Sequence, residues 1–233
     1  MTARQTINQI FRKLGVQIVS NNRVGIRIFE EINRTDIQIK TIFDVGANVG
    51  ETCKLYLREY PTAAVHAFEP VEQNFRKLAL IDNKRLVINK LALGSNSGQV
   101  KIYLDQNPAK HSTIVIADET NFENVESSTL EDYCRTRGVQ RIGLLKIDTE
   151  GADLAVLAGA KGFFESNNVD FVQVESAFYR KERHIHICDY LQFFDMYQYN
   201  VLGIYEQSLE WDHSARVQYS NILFARKGIK IVK

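Results

Sequence analysis

The sequence is poor in residues that crosslink a chain or break it into modules. Its 233 residues include 3 prolines and 13 glycines, both below their usual shares of about 5% and about 7%, so no flexible linker separates two modules. The 3 cysteines are widely spaced and odd in number, which favours neither a disulfide framework nor paired thiolate zinc knuckles. We therefore expect one globular unit from a reducing compartment, the cytoplasm.

The sequence also has no excess of charge and no long apolar run. The 29 basic and 28 acidic residues leave a net charge of +1, which gives no indication of a nucleic-acid or anionic-membrane partner. No window approaches the roughly 18 apolar residues of a spanning helix, and polar residues interrupt every apolar stretch at the N-terminus, unlike in a signal peptide. We expect a protein without a membrane span that binds no nucleic acid.

The sequence does contain an alternation of strand-like and helix-like segments. Short apolar runs rich in β-branched residues predict strands at 41–45, 63–69, 85–89, 142–148 and 169–175. Helical periodicity predicts helices at 51–60, 71–81, 129–137, 152–164 and 187–197. This alternation favours an α/β fold with a doubly wound, mostly parallel, Rossmann-like sheet.

The C-terminal part and the middle of the chain add further elements. Residues 201–205 and 219–226 predict an antiparallel hairpin that completes the sheet, and residues 98–105 predict an extra half-buried strand. Ser128 and Glu131 form a capping-box pattern at the start of a helix. The segment from 108 to 127 has little pattern and is predicted to be a long loop.

The N-terminal part is predicted to be helical. Apolar residues recur at helical spacing over 3–14, and more weakly over 24–32. We assign 1–38 to an N-terminal helical extension and 39–233 to the main domain. The extension is a homodimerisation arm, a lid over the site or a segment simply packed on the domain.

Residues 44–50 read Asp-Val-Gly-Ala-Asn-Val-Gly between a predicted strand and a predicted helix. In an open α/β sheet, nucleotide-like ligands bind at this first turn, where glycine allows a tight bend and close approach of a ligand. The spacing differs from GxGxxG, so it predicts no pyrophosphate cradle. Our candidates for cofactor contact in this turn are Asp44, Gly46, Ala47, Asn48 and Gly50.

Glu69 ends the next predicted strand, 69 − 50 = 19 positions after Gly50, and is followed by Pro70. A carboxylate at this place can accept hydrogen bonds from both ribose hydroxyls, and Pro70 keeps the preceding residue extended and aimed at the crevice. A nucleoside is indicated, and a pyrophosphate is not. S-adenosylmethionine fits this description, since its sulfonium is cationic and its amino acid tail needs a carboxylate partner and acceptors.

A third polar cluster, Lys146, Asp148 and Glu150, lies at the end of a strand, and Glu175 ends the following strand. Lys146 and Asp148 are two residues apart and share one face. Charges at the mouth of an apolar strand are costly unless they are paired or used. We expect these acids to meet those of the two previous motifs at one sheet edge, with Lys146 neutralising one carboxylate.

Taken together, these motifs resemble the FkbM family of S-adenosylmethionine-dependent methyltransferases. The matching segments are DVGANVG at 44–50, FEP at 68–70, NKLALG at 89–94, KIDTEG at 146–151 and VLAGA at 156–160. The likeness runs from about residue 41 to about residue 175. It implies the class I methyltransferase fold and transfer of a methyl group, typically to oxygen, on sugars or natural products.

The resemblance also assigns roles to residues. It implies that the turn at 44–50 lines the methionine end of the cofactor, that Glu69 binds the ribose, and that Leu91 and Ala92 border the adenine. Asp148 and Glu150 would then lie at the catalytic edge.

A neutral hydroxyl is a poor nucleophile, so transfer to oxygen calls for a base. Asp148 is the first candidate, Glu175 and His111 are the others, and Lys146 belongs to the same catalytic group. His184 and His186 lie in a charged run that is typically solvated, so we predict no metal site. Other positions stay open: the lone tryptophan at 211 is either a sugar-stacking platform or a hydrophobic plug.

Three functions remain open at this point. The first is an O-methyltransferase acting on a hydroxyl of a small molecule or glycan. The second is an NAD-dependent dehydrogenase on a related sheet, which would need the missing GxGxxG turn. The third is a non-catalytic module that binds S-adenosylmethionine.

Overall fold

The computed structural model describes residues 26–105, 120–180, 184–209 and 217–232. The strands of these residues, in chain order, are β1 (Thr41–Val45), β2 (Ala64–Phe68), β3 (Leu86–Asn89), β4 (Ala92–Leu93), β5 (Gly98–Tyr103), β6 (Phe122–Ser128), β7 (Ile142–Ile147), β8 (Val169–Ala177), β9 (Tyr199–Leu209) and β10 (Val217–Arg226). The helices are α1 (Ile26–Ile32), α2 (Glu51–Glu59), α3 (Glu72–Leu78), α4 (Leu130–Arg137), α5 (Asp153–Ala158), α6 (Lys161–Glu165) and α7 (Ile187–Met196).

Seven strands form the main sheet in the order β3-β2-β1-β7-β8-β10-β9. The first five are parallel, and β10 runs antiparallel to both β8 and β9. The predicted doubly wound, mostly parallel sheet with a C-terminal hairpin is confirmed. The chain moves outward from β1 to β3 and then crosses to β7, so the strand order reverses between β1 and β7. Ligands of open α/β sheets bind at such a switch point.

The two faces of the main sheet are covered by different helices. Alternate residues of a strand point to opposite faces: Ile42 and Leu144 pack with α1, α2 and α3, whereas Phe43 and Leu145 pack with the helices from α4 to α7. All six residues of β7 are buried, as an apolar strand covered on both faces requires. The continuous apolar runs predicted from the sequence are therefore the central strands.

The described part of the N-terminal segment packs on the main domain. Ile28 and Ile32 of α1 are fully buried, and the Phe29 ring meets the rings of Tyr56 and Tyr60 edge-on at 5.6 and 5.8 Å between centroids. The predicted helix at 3–14 lies outside the described residues. The division of the chain after residue 38 remains a prediction.

A small second sheet of three strands, in the order β4-β6-β5, flanks the main sheet. The predicted strand at 98–105 corresponds to β5, which pairs antiparallel with β6. The prediction of a loop over 108–127 is wrong in its last part, where β6 lies; residues 106–119 are outside the described part. The sequence of β6 is polar, and Val125 alone among its seven residues is buried, so backbone pairing holds this strand without an apolar run.

Two helix predictions also need correction. The N-cap of α4 is Thr129, whose hydroxyl accepts the N–H of Asp132 at 3.0 Å, so the cap lies one residue after the predicted Ser128. The single helix predicted over 152–164 is two helices, α5 and α6, that part at Gly159. A Cβ on Gly159 would lie 2.1 Å from the carbonyl oxygen of Gly94, so only glycine fits at the break.

The three cysteines are free thiols in different surroundings. Cys53 on α2 and Cys134 on α4 are buried in the core, whereas Cys188 at the start of α7 is exposed.

None of the helices in the described part of the chain is long and apolar enough to cross a membrane.

Candidate functional site

A cavity of about 760 Å³ opens at the carboxyl ends of β1, β2 and β7. Its volume lies within the range of about 300–1,000 Å³ that is usual for ligand pockets. Its lining includes residues 45–49, 68–71, 91–96 and 148–152, together with Lys146 and Glu175. The three predicted motifs therefore meet at one site, at the switch point of the sheet.

Gly46 lies where the turn after β1 touches the end of β7. Its φ is +81°, and a Cβ on it would lie 1.9 Å from the carbonyl oxygen of Asp148, so no other residue fits. Gly50 also has a positive φ, but its missing Cβ faces Leu78 and Ile81. Gly50 does not line the cavity. The structure places it where α2 packs on the end of α3, and its contact with the cofactor stays a prediction.

Glu69 connects the glycine turn to the end of β2. Its Oε2 accepts the backbone N–H of Asn48 at 2.9 Å, and its Oε1 accepts that of Val71 at 3.0 Å. Glu69 lines the cavity together with three other candidates, Ala47, Asn48 and Pro70. Burial raises the pKa of Glu69 to about 7, against the opposing effect of these two backbone N–H donors.

Lys146 extends from β7 into the space below the glycine turn. Its Nζ lies 3.1 Å from Oδ1 of Asp44 and 3.3 Å from Oδ2 of Asp148, and it donates to the carbonyl oxygen of Gly46 at 3.2 Å. Burial lowers the pKa of Lys146, but the charges of Asp44 and Asp148 outweigh it and hold this pKa above its usual value. Lys146 is therefore a cation that contacts two carboxylates, Asp44 and Asp148, whereas the sequence predicts that it neutralises one.

Asp44 is fully buried and does not line the cavity. Besides its ion pair with Lys146, its Oδ2 accepts the thiol of Cys53 at 3.2 Å. Burial, followed by the charge of Asp44, raises the pKa of that thiol well above its usual range. We expected Asp44 among the cofactor contacts; in the structure it lies beneath the turn and contacts Lys146 and Cys53, away from the cavity.

The turn after β7 is held by two buried residues that no motif pointed to. Asp153, at the start of α5, accepts the backbone N–H of Thr149 at 2.9 Å through Oδ1. Its Oδ2 accepts the Tyr190 hydroxyl at 2.5 Å. Burial raises the pKa of Asp153. Two sequence features could have pointed to them: Asp153 is an acid in the first turn of a predicted helix, and Tyr190 lies on the apolar face of α7.

Glu175, a candidate base, lines the cavity from the end of β8 and has an ion-pair partner. Its Oε2 lies 3.0 Å from Nε2 of His184, whose ring stacks on Tyr219 with 5.6 Å between centroids. The hydrogen bond to Glu175 raises the pKa of His184, and burial opposes this shift. His184 therefore has a carboxylate partner at the cavity.

The other histidines have different positions. His186 caps α7, and its Nδ1 accepts the N–H of Cys188 at 3.2 Å. Among the described residues, no group of three or more side chains forms a metal site. His111, the third base candidate, and Trp211 lie outside the described residues.

The small sheet supplies the remaining wall. Leu91 and Ala92 line the cavity, where the resemblance placed the adenine. Polar residues of this wall that sequence reasoning did not single out are Ser95, Asn96, Gln99 and Ser127. The alternating pattern at 98–105 was the available signal, but it does not show which face meets a ligand.

Comparisons with known proteins identify the family of this chain. Residues 44–200 match the family model of the methyltransferase FkbM domain. The methyltransferase sdnD of Sordaria araneosa is 32% identical, over 51% of this chain and 59% of that protein. The 31-O-demethyl-FK506 methyltransferase FkbM of Streptomyces tacrolimicus is 28% identical, over 52% and 59%. The chain thus matches about 59% of the length of these two relatives.

Among solved structures, an rRNA methylase from Streptococcus thermophilus has the same fold. It superposes with a TM-score of 0.51 over 89% of this chain and 99% of that one, at 11% identity. The main sheet is that of the class I methyltransferases, as predicted. Since the family model matches more than half of its residues, this chain belongs to the FkbM methyltransferase family.

Proposed function

We propose that this chain is an S-adenosylmethionine-dependent methyltransferase that acts on a hydroxyl oxygen of a small molecule, such as a sugar or a natural product. The observation that carries the proposal is the convergence of the glycine turn, Glu69 and the turn after β7 around one cavity. Membership of the family supports it, because FkbM methyltransferases use S-adenosylmethionine.

The residues of the cavity fit this cofactor. An ionised carboxylate has about four acceptor positions, so Glu69 can bind ribose hydroxyls while it accepts the two backbone N–H groups. Asn48 and Asp148 would hold the amino acid end, and Leu91 and Ala92 the adenine. When bound, the cofactor supplies an electrophilic methyl group on a cationic sulfonium.

The same site argues against a nicotinamide dinucleotide. A pyrophosphate would bind at the N-terminus of α2, where backbone N–H groups and the helix dipole favour an anion. Glu51, the first residue of α2, lines the cavity there and pairs with Lys54 at 2.6 Å, so a phosphate would have to compete with this carboxylate for the same place. A nucleoside without phosphates suits this turn better than NAD does.

The pair of Glu175 and His184 supports oxygen as the acceptor atom. A neutral hydroxyl must lose its proton as the new bond to carbon forms. Glu175 faces the cavity, and its partner His184 is a second group that can carry a proton. Lys146 beside Asp148 stays protonated and cannot pass a proton on. We therefore place the base at Glu175 in preference to Asp148.

Titration calorimetry with S-adenosylhomocysteine tests the cofactor. The wild-type protein should bind, and Glu69→Gln should bind at least about tenfold more weakly, a loss of about 1.4 kcal/mol, because an acceptor is replaced by an amide N–H. Glu165→Gln is the matched control, since Glu165 is exposed on α6 and pairs with Lys161. A wild-type protein that is folded and gives no heat would refute the proposed cofactor.

Transfer of labelled methyl groups to a panel of alcohols, phenols, sugars, amines and thiols tests the acceptor. Hydroxyl acceptors should be methylated, and Glu175→Gln should lower turnover by about 100-fold, the scale of general-base catalysis. Methylation of amines or thiols alone would contradict an oxygen acceptor. Binding of S-adenosylhomocysteine with no transfer to any of the panel would favour the non-catalytic module.

A further inference from the structure

Lys146 of β7 contacts β1, and the strand order reverses between these two strands. Asp44 and Lys146 are partners in the register of β1 and β7, and their side chains form an ion pair at 3.1 Å. Asp44 is fully buried, and the Lys146 side chain is 8% exposed. Because a buried charge is costly unless it is paired, this contact alone accounts for the presence of both residues in the core.

Two further contacts of Lys146 are not needed for that pairing. Its ammonium group also donates to the Gly46 carbonyl oxygen at 3.2 Å and lies 3.3 Å from Oδ2 of Asp148. Gly46 and Asp148 both line the cavity, whereas Asp44 does not. Lys146 thus also contacts two groups at the rim of the site.

The arrangement leaves Asp148 partly free. Its side chain is 40% exposed, and one of its oxygens contacts Lys146. The other oxygen remains to receive a donor from the cavity. A carboxylate fixed in this way is suited to the α-ammonium group of an amino acid, because a charge-assisted hydrogen bond depends on a well-placed acceptor.

We propose that Lys146 is a positioning residue for the amino acid end of the bound cofactor. It holds the Gly46 carbonyl and the Asp148 carboxylate in the arrangement that receives an α-amino group. This inference rests on the proposed function. In this role Lys146 transfers no proton, although the sequence analysis groups it with the catalytic candidates.

Two variants separate this role from the stabilising ion pair. Asp44→Asn removes the buried carboxylate and keeps the contacts of Lys146 with Gly46 and Asp148. The double variant Lys146→Met with Asp44→Asn removes both members of the buried pair, so that neither charge is left alone in the core. Lys161→Met is the control, since Lys161 is an exposed lysine that pairs with Glu165 on α6.

The measurement is titration calorimetry with two ligands on variants whose folding is checked by circular dichroism. S-adenosylhomocysteine carries the amino acid group, and 5′-methylthioadenosine shares its nucleoside and thioether but lacks that group. We expect Lys161→Met to bind S-adenosylhomocysteine within about threefold of wild type, and Asp44→Asn to keep the wild-type ratio of the affinities for the two ligands. The double variant should bind it about 30-fold more weakly, with binding of 5′-methylthioadenosine nearly unchanged.

The outcomes are distinguishable. No binding by the wild type refutes the proposed function itself. Wild-type binding with equal losses for both ligands in the double variant, or with no loss, overturns the role of Lys146 alone. If the double variant does not fold, Asp148→Asn decides, because this residue is partly exposed: a loss confined to S-adenosylhomocysteine supports the proposal, and an unchanged affinity overturns it.

Discussion

The carbonyl oxygen of Asp148 lies against Gly46 so closely that a Cβ there would be 1.9 Å away. The backbone of Gly46 also has a φ of +81°, which residues with a side chain adopt at a cost of about 1–2 kcal/mol. The ends of β1 and β7 therefore touch backbone to backbone at the floor of the cavity.

We predict that Gly46→Ala is far more damaging than a matched glycine substitution. Gly138 has a similar φ of +68°, but nothing lies within 4 Å of its missing Cβ. Gly138→Ala should cost about 1–2 kcal/mol of unfolding free energy and leave binding of S-adenosylhomocysteine unchanged. Gly46→Ala should cost more and weaken that binding at least about tenfold, because the two strand ends must separate. Urea denaturation and calorimetry measure both effects, and equal behaviour of the two variants would contradict the contact.

Two buried tyrosines offer a second matched comparison. The Tyr190 hydroxyl donates to Asp153, and the Tyr199 hydroxyl donates to the carbonyl oxygen of Val169, each at 2.5 Å. Replacement of either by phenylalanine should cost about 1–3 kcal/mol of stability. Only Tyr190→Phe should also weaken S-adenosylhomocysteine binding several-fold, because Asp153 holds the turn at Thr149. Similar affinities in the two variants would mean that Asp153 holds the turn without help from Tyr190.

A third prediction concerns the dependence of stability on pH. Burial, assisted by the charge of Arg137, lowers the pKa of His66 from 6.5 to about 4. Between these values the unfolded chain binds a proton that the folded protein does not, so His66 makes stability rise with pH. Glu69 does the opposite, because burial raises its pKa from 4.5 to about 7. Over that interval the folded protein binds the extra proton, and stability falls as pH rises.

The two effects oppose each other between about pH 4.5 and pH 6.5. Relative to wild type, His66→Phe should make the slope of unfolding free energy against pH more negative, and Glu69→Gln should make it more positive. Urea denaturation at three pH values in this range gives the slopes. The exposed-site variant Glu165→Gln should keep the wild-type slope, and a shift of the same sign in both test variants would refute the assignment.

The central strands and the place of the site could be predicted from the sequence. Parallel strands covered on both faces must be continuous apolar runs, and the polar residue that ends such a run lies at the sheet edge. This is why Glu69, Asp148 and Glu175 were found to line one cavity. The connection rules for parallel strands then placed their ends together.

The strand β6 could not be predicted, because its stability comes from pairing with β5 and not from burial. Its sequence, Phe-Glu-Asn-Val-Glu-Ser-Ser, alternates too weakly to distinguish a strand from a loop. Hydrogen bonds between partners far apart in the sequence could not be predicted either. Tyr190 reaches Asp153 across 37 positions, and no local pattern encodes that contact.

The burial of Asp44 beneath the turn could not be predicted for a related reason. An acid just before a glycine turn suits both a ligand contact and a buried ion pair. The choice depends on Lys146, which lies 102 positions later (146 − 44) and is brought opposite Asp44 only by the pairing of β1 with β7.

Because only one of the three cysteines is exposed, the native protein can be labelled at a single site. Cys188 is exposed, whereas Cys53 and Cys134 are shielded in the core, and burial raises the pKa of Cys134 to about 12. Thiolates are the species that maleimides attack. A fluorophore can therefore be placed at Cys188 without removing the other thiols, two residues from Tyr190 and its contact with the turn of the cavity.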